Sequence, residues 1–520
     1  MDSEMLHPRR FAAQAPDHPA VIMGRTGDVI TYRELDEESN RLAHLLRARG
    51  LKAGDHLAIV AETTPQSMPV IWAAQLAGLI FTPINYHLTP GELQAVLDDC
   101  GAAAVVTSAR TAPVMAELDL ARVPVRLTTG NDEVAGFESV ADAVSGLPTT
   151  PIPDEGEGRE MVYSGGTTGR PKGIRKPTAQ TGIGDPDNPA VQIALGMANY
   201  KVDHTSVYLS PAPLYHSAPL VFCMCVHRVG GTVVLMERFD PADCLRLIGQ
   251  HRVTHAQFVP TMFSRMLKLP THVREVADLS SLQLAIHAAA PCPVEVKRQM
   301  IEWWGPILFE YYAGTEDIGH SAITSEEWLA HPGSVGRPLQ PVHIVGPNGD
   351  EVPPGEVGVV YFDGGRDFQY HNDPERTAAA AHPNGWRTLG DMGRLDGEGY
   401  LYLTDRVAHT IISGGVNIYP QEIEDALIMH PEVADAAVIG VPNDDLGEEV
   451  RAVVQLVDPD RAGDDTEAAL LAWCADRLAA FKCPRGVDFD ESLPRDPNGK
   501  LMKRYLRDRY WPSDTDSRIV

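Results

Sequence analysis

Apolar and polar positions follow two rhythms along this chain, one helical and one of short apolar runs. Between Thr31 and Gly50, the residues Tyr32, Leu35, Leu42, Leu45 and Leu46 recur at helical spacing, with Gly50 as the stop. His56 to Val60 reads as a short buried strand, Val70 to Gly78 as a helix, and Leu79 to Pro83 as the next strand. Thr89-Pro90-Gly91-Glu92 puts a threonine cap and a first-turn proline before another helix, and Ala103 to Thr107 follows as a strand. The alternation continues through strands at 207–209, 232–235, 256–259, 284–287 and 307–312, with a helix starting near Asp240. Repeated strand–helix alternation predicts an α/β sheet with mostly parallel strands.

From about Gly333 the rhythm changes. Short strands are separated by Gly349-Asp350, Pro354-Gly355 and Asp396-Gly397, which predicts antiparallel hairpins and a compact β-rich region over 333–405. The last stretch alternates again, with strands at 411–412, 434–440 and 450–457 and helices at 420–430 and 466–478. It reads as a small α/β domain. The predicted boundaries are 1–405 for a large N-terminal domain and 406–520 for the small C-terminal one.

Composition narrows the function. A chain of 520 residues exceeds what one core usually organises, so two or more domains are expected. The formal charge of −27 argues against nucleic acid or an anionic membrane as partner, because both need clustered Lys and Arg. Seven cysteines without a regular framework point to a reducing compartment, and Cys223 and Cys225, in an apolar run, read as buried thiols. Residues 1–10 lack the apolar core of a secretory signal. The longest apolar stretch, 70–84, is interrupted by Gln75, Gly78 and Pro83 and is too short to span a bilayer. A cytoplasmic enzyme is the expectation.

The chemistry begins at Tyr163–Gly173, which reads Tyr-Ser-Gly-Gly-Thr-Thr-Gly-Arg-Pro-Lys-Gly. Gly165, Gly166 and Gly169 let backbone N–H groups approach an anion closely. Ser164, Thr167 and Thr168 add hydroxyl donors, and Lys172 adds a positive charge. The stretch suits nucleotide phosphates. It is not a P-loop, because Arg170-Pro171 separates the last glycine from the lysine. Its composition and order resemble the phosphate-binding signature of the ANL adenylating enzymes, which include acyl-CoA synthetases, peptide-synthetase adenylation domains and luciferases.

The resemblance covers residues from about 7 to 505 and carries further motifs. Tyr311-Tyr312-Ala313-Gly314-Thr315-Glu316 is similar to the family's aromatic-x-x-Thr-Glu motif. It implies Tyr312 against adenine, with Tyr311 beside it, Thr315 on the α-phosphate and Glu316 holding Mg²⁺. An aromatic face, a hydroxyl and a hard oxygen ligand suit those tasks. Ala288, Ala289 and Ala290 resemble the other wall of the adenine slot, and Asp391 in Thr388-Leu389-Gly390-Asp391 resembles the ribose-binding aspartate. Leu403-Thr404-Asp405-Arg406 resembles the hinge, with Arg406 near the ribose. Where relatives commonly carry Asp or Lys as pivot, this chain has Ala408, followed by His409.

Beyond the hinge, Gly414 and Gly415 are similar to the turn beside the pantetheine channel, and Pro494–Lys500 matches the motif whose lysine reaches the carboxylate and α-phosphate. The resemblance therefore implies a mobile C-terminal domain, Lys500 as a catalytic cation, and ATP, Mg²⁺ and coenzyme A as cofactor and co-substrates.

His216 stands where amino-acid-activating relatives place an aspartate for the substrate ammonium, which counts against amino acids and suggests a gate or acyl-pocket role. Ala313, Gly314, Ala218 and Ala288, with Phe222 and Met224, read as a roomy apolar pocket. The expected reaction is ATP-dependent ligation of a bulky or long apolar acid (fatty, aryl or steroid side-chain) to CoA through acyl-AMP. The alternatives are an acyl-AMP ligase that serves a carrier protein and a non-enzymatic nucleotide-binding regulator. The regulator has no need of Lys500 or Glu316. Small molecules are the expected partners, and a homodimer is left open.

Overall fold

The structure, a computed structural model, describes residues 5–130, 133–164, 172–176, 182–186, 197–364, 368–495 and 501–511. Some of its helices start where side chains satisfy the first free N–H groups. Thr31 and Glu34 form a reciprocal capping box at the helix Tyr32–Ala48, which buries Tyr32, Leu35, Leu42, Leu45 and Leu46. Thr89 and Glu92 do the same for Pro90–Cys100, with Pro90 in the first turn and Gly101 left-handed at its end. The helix expected from Val70 begins earlier, as Ser67–Leu76.

The chain forms two compact units. The first comprises residues 1–258, 268–286 and 366–378. Its six-stranded sheet runs in the order Glu138–Ser139, Val125–Thr129, Ala104–Ser108, His56–Val60, Ile80–Pro83, Arg159–Glu160, and every pairing is parallel. A second sheet places His255–Phe258, Val207–Ser210, Thr232–Leu235 and Pro19–Met23 in parallel, with Val29–Thr31 antiparallel at the edge. A third, small sheet joins Tyr163–Ser164, Lys172–Arg175 and Gln369–Tyr370. Cys223 and Cys225 are buried thiols, the pKa of each pushed up to about 12 mainly by burial.

The second unit comprises residues 259–267, 287–365 and 379–520. Leu308–Tyr312, Ser321–Thr324 and Arg337–Pro338 pair antiparallel. The hairpin rhythm becomes a four-stranded antiparallel sheet: Val342–Val345, Gly358–Phe362, Arg387–Leu395, Leu401–Arg406. The C-terminal stretch forms a five-stranded sheet centred on Val433–Asn443 and Gly447–Leu456, with Gly486–Phe489 added in parallel. Ile423 and Leu427 of the helix Pro420–Ile428 and Leu470 and Cys474 of Asp464–Ala475 pack onto it around Val438 and Val454.

Candidate active site

In the first unit, backbone pairing holds the two ends of the glycine-rich stretch face to face. Lys172 pairs with Ser164 and Gly173 with Tyr163. Gly165, Gly166, Thr167, Thr168 and Gly169 lie outside the described residues, as does the side chain of Ser164. The stem is tied down on both sides. The Tyr163 hydroxyl donates to Asp99 at the end of Pro90–Cys100, and Asn372 Nδ2 donates to the Asp99 carbonyl at 3.1 Å. A side chain does not fit at Gly173: its Cβ would lie 2.8 Å from the Tyr163 ring and 3.2 Å from His371 Cβ. Lys172 Nζ donates to Tyr370 Oη at 3.1 Å and sits 4.4 Å from the centre of that ring.

His216 caps the helix Ser217–Val229 in extended conformation. Its ring is 4.7 Å from Tyr215, which meets Tyr86 edge-on at 5.8 Å. Along the half-exposed face of that helix, Phe222 lies 5.3 Å from Tyr200 and stacks on Tyr208 at 6.0 Å. Met224, assigned to the same pocket from sequence, is buried.

In the second unit, three predicted residues meet. Tyr312 Oη donates to Asp391 Oδ2 at 2.6 Å, and Arg406 Nε lies 3.1 Å from Asp391 Oδ1. Tyr312 is the last residue of the strand Leu308–Tyr312 and Arg406 the last of Leu401–Arg406, while Asp391 lies within Arg387–Leu395. Direct pairing of Asp391 with Arg406 across the ladder makes their meeting a matter of register. Gly390, with φ of 79°, turns the chain just before Asp391, and its N–H donates to Thr388 Oγ1 at 3.0 Å. Burial, then the Asp391 carboxylate, push the Tyr312 phenol well above its usual range. It is a donor at any working pH. Each Asp391 oxygen accepts one of these bonds, and a carboxylate has about four acceptor sites in all.

Tyr311 pairs with Ala322 across the adjoining ladder and, like Thr315, is half-buried. Glu316 is buried. Among the described residues of this unit, two that are not glycine are left-handed. Ala289, exposed between Ala288 and Ala290, has φ of 76°, and Asp317 has φ of 60°. An L-residue in this region stores strain of order 1–3 kcal/mol that the surroundings must hold, a pattern concentrated at ligand sites. One expectation is corrected here. A Cβ at Gly314 would run into the Leu389 side chain and come within 2.8 Å of Glu316 Oε2, so that direction is filled protein rather than acyl space.

The hinge motif continues into a 3-10 turn, Val407–His409. His409 Nδ1 lies 3.3 Å from Asp405 Oδ1, and Asp405 Oδ2 accepts from the Gln421 N–H at 3.3 Å. Burial works against the charge on Asp405. The His409 hydrogen bond and the nearby Lys503 outweigh it and hold that carboxyl below its usual range. Gly414 and Gly415 have φ of 56° and 79° and connect Ile411–Ser413 to Val416–Ile418. Lys500 lies outside the described residues. Its neighbours Arg495 and Leu501 bridge antiparallel, and Arg495 forms an ion pair with Asp435 at 2.5 Å.

Sequence reasoning missed Tyr370 and Asp99. It also missed a buried ion pair, Lys297 Nζ to Glu310 Oε2 at 2.5 Å, on the strand that delivers Tyr312. None of these residues sits in a motif; only alternation marks Glu310 as inward-facing, two residues before Tyr312.

Comparison with known proteins identifies the family. The profile of the family described as "AMP-binding enzyme" matches residues 8–366, and that of the "AMP-binding enzyme C-terminal domain" matches 422–500. The chain is 35% identical to a feruloyl-CoA synthase of Amycolatopsis sp, over 97% of this chain and 98% of that one. It is 30% identical to the long-chain-fatty-acid–CoA ligase FadD13 of Mycobacterium tuberculosis, over 96% and 97%. The crystal structure of ATP-bound MatB from Rhodopseudomonas palustris superposes with a TM-score of 0.79 at 29% identity, covering 97% of this chain and 99% of that one. Matched along nearly its whole length, the chain belongs to the AMP-binding family of adenylate-forming ANL enzymes and is an AMP-forming acid–CoA ligase.

Proposed function

We propose that the enzyme activates a bulky apolar carboxylic acid as its acyl-AMP and then transfers the acyl group to CoA. The observation that carries the nucleotide half is the Tyr312–Asp391–Arg406 cluster: an aromatic face, a carboxylate with acceptor sites for a diol, and a guanidinium within one hydrogen-bonded group. In this reading Tyr312, flanked by Tyr311, meets adenine, with Ala288, Ala289 and Ala290 as the opposing wall. Asp391 takes the ribose hydroxyls, with Arg406 beside it. Ser164, Gly165, Gly166, Thr167, Thr168, Gly169 and Lys172 hold the phosphates, and Thr315 contacts the α-phosphate.

Glu316 is the residue for Mg²⁺. Among the described residues no group of three or more His, Cys, Asp or Glu side chains is placed to hold a metal. A single hard carboxylate fits a magnesium ion that completes its shell with phosphate and water. The ion would neutralise phosphate charge. Lys500 neutralises charge as the carboxylate attacks, on a domain comprising 406–520 that rotates about the hinge to bring Gly414 and Gly415 to the thiol.

The acid is read from the first unit. Phe222 with Tyr200 and Tyr208, and His216 with Tyr215 and Tyr86, offer apolar ring surface, and position 216 provides no carboxylate for an ammonium. Relatives named for feruloyl and long-chain fatty acids support the same class. The test is a panel of acids (aryl, long-chain, polycyclic, acetate, an amino acid), each assayed for AMP release and thioester with CoA. Aryl or other large apolar acids should give kcat/KM at least a hundredfold above acetate and the amino acid. A preference for acetate or the amino acid would reject the reading. AMP release without thioester, restored by a carrier protein, would move the acceptor assignment away from CoA.

A further inference from the structure

Lys172 carries a point charge at the end of a long, flexible side chain. Tyr370 meets it from a segment 198 residues away in sequence but within the same unit. The contact is double. The ammonium stands 4.4 Å from the ring centre, inside cation–π range, and donates to the phenol oxygen at 3.1 Å. Tyr370 is itself held from several directions. Its backbone pairs with Ile174, and its N–H donates to Thr377 Oγ1 at 3.0 Å. Its ring packs edge-on against buried Phe368 at 5.3 Å, and the residue is 6% exposed. An ammonium carries three N–H donors, so one bond to Tyr370 does not by itself exhaust it.

We propose that Tyr370 is a positioning residue for ATP. Its ring and hydroxyl hold the Lys172 ammonium in one position, so that the charge is in place before the phosphates arrive. The inference rests on the reading of Lys172 as a phosphate contact. It follows from preorganisation: a flexible cation fixed beforehand loses less freedom on binding.

The test is a double-mutant cycle on the full-length enzyme, with Tyr370→Leu, Tyr370→Phe, Lys172→Met and the combined variants. The KM for ATP and kcat are read from acid-dependent pyrophosphate exchange, and Tm is followed alongside. Tyr370→Leu should raise the ATP KM about tenfold and Tyr370→Phe about threefold, with kcat changed less. In the Lys172→Met background either Tyr370 change should add less than twofold, because the group it positions is gone. If Lys172→Met is costly and Tyr370→Leu costs the same factor in both backgrounds, the positioning role is overturned while the phosphate reading stands. If Lys172→Met leaves the ATP KM unchanged, the phosphate reading fails and the positioning role with it. Should Tyr370→Leu fail to fold, the Tyr370→Phe arm decides by the same criterion, since it keeps the ring and its packing.

Discussion

Asp391 is asked to do two things at once. Its oxygens accept from Tyr312 and face Arg406, and in the proposed complex they also take the ribose hydroxyls. Asp391→Asn keeps the shape but removes the charge and one acceptor. Hydrogen bonds to charged groups contribute about 1.5–3 kcal/mol. The variant should therefore lose about ten- to a hundredfold in kcat/KM for ATP, measured by pyrophosphate exchange, with the KM for the acid little changed. An unaltered ATP dependence would remove Asp391 from the nucleotide site. Residue identity alone shows none of this coupling: Tyr312 and Asp391 are 79 positions apart, and only the fold makes them partners. The same holds for Lys172 and Tyr370. The motifs were legible because each is a contiguous run whose chemistry is local. Their supports were not, because a lone Tyr or Asp carries no pattern.

Elements were legible to the extent that their ends were local. The cap at Thr89–Glu92 is read from four residues and is formed, and the box at Thr31–Glu34, of the same pattern, went unread. The strand Val125–Thr129 went unread, since Arg126 breaks the apolar run and Pro124 argues for a turn. Parallel neighbours on the sheet supply what its own sequence lacks. The helix Ser217–Val229 shows a similar dependence on tertiary partners. At its C-terminal end, His227 is fully buried. Its Nδ1 accepts from Trp72 Nε1 at 3.2 Å, and Nε2 lies 3.0 Å from the Ala20 carbonyl. Indole only donates and a carbonyl only accepts, so the ring is the neutral Nε2–H tautomer. Burial, partly offset by the Ala20 bond, lowers its pKa from 6.5 to about 4.

The unfolded chain takes up this proton below about pH 6.5 and the native state refuses it until about pH 4. Stability is therefore lost as pH falls through that window, by on the order of 3 kcal/mol from this group. His227→Leu should cost about 2 kcal/mol at pH 7 in chemical denaturation, through the orphaned Trp72 and Ala20 groups. That cost should shrink or reverse at pH 4.5. A cost independent of pH would contradict the assignment.

At the scale of the whole molecule, the two larger sheets described in the first unit are mostly parallel, and the strand pairings described in the second are mostly antiparallel. No helix among the described residues is long and apolar enough to cross a membrane. The proposed cycle needs one group in one half-reaction and not in the other, and Lys500 is that group. Lys500→Ala should lose about 2.7–4 kcal/mol of transition-state stabilisation in adenylation, by analogy with removal of a preorganised oxyanion donor. Supplied with synthetic acyl-AMP and CoA, it should form thioester at near wild-type rate. Equal losses in both steps would mean that Lys500 is structural or serves both half-reactions.

The central claim is that an acyl-AMP forms before CoA takes part. Acid-dependent exchange of labelled pyrophosphate into ATP, with CoA absent, tests it most directly. The account predicts exchange that requires a bulky apolar acid and Mg²⁺ and proceeds without thiol. Exchange that appears only when CoA is added, while thioester still forms with release of AMP, would contradict it.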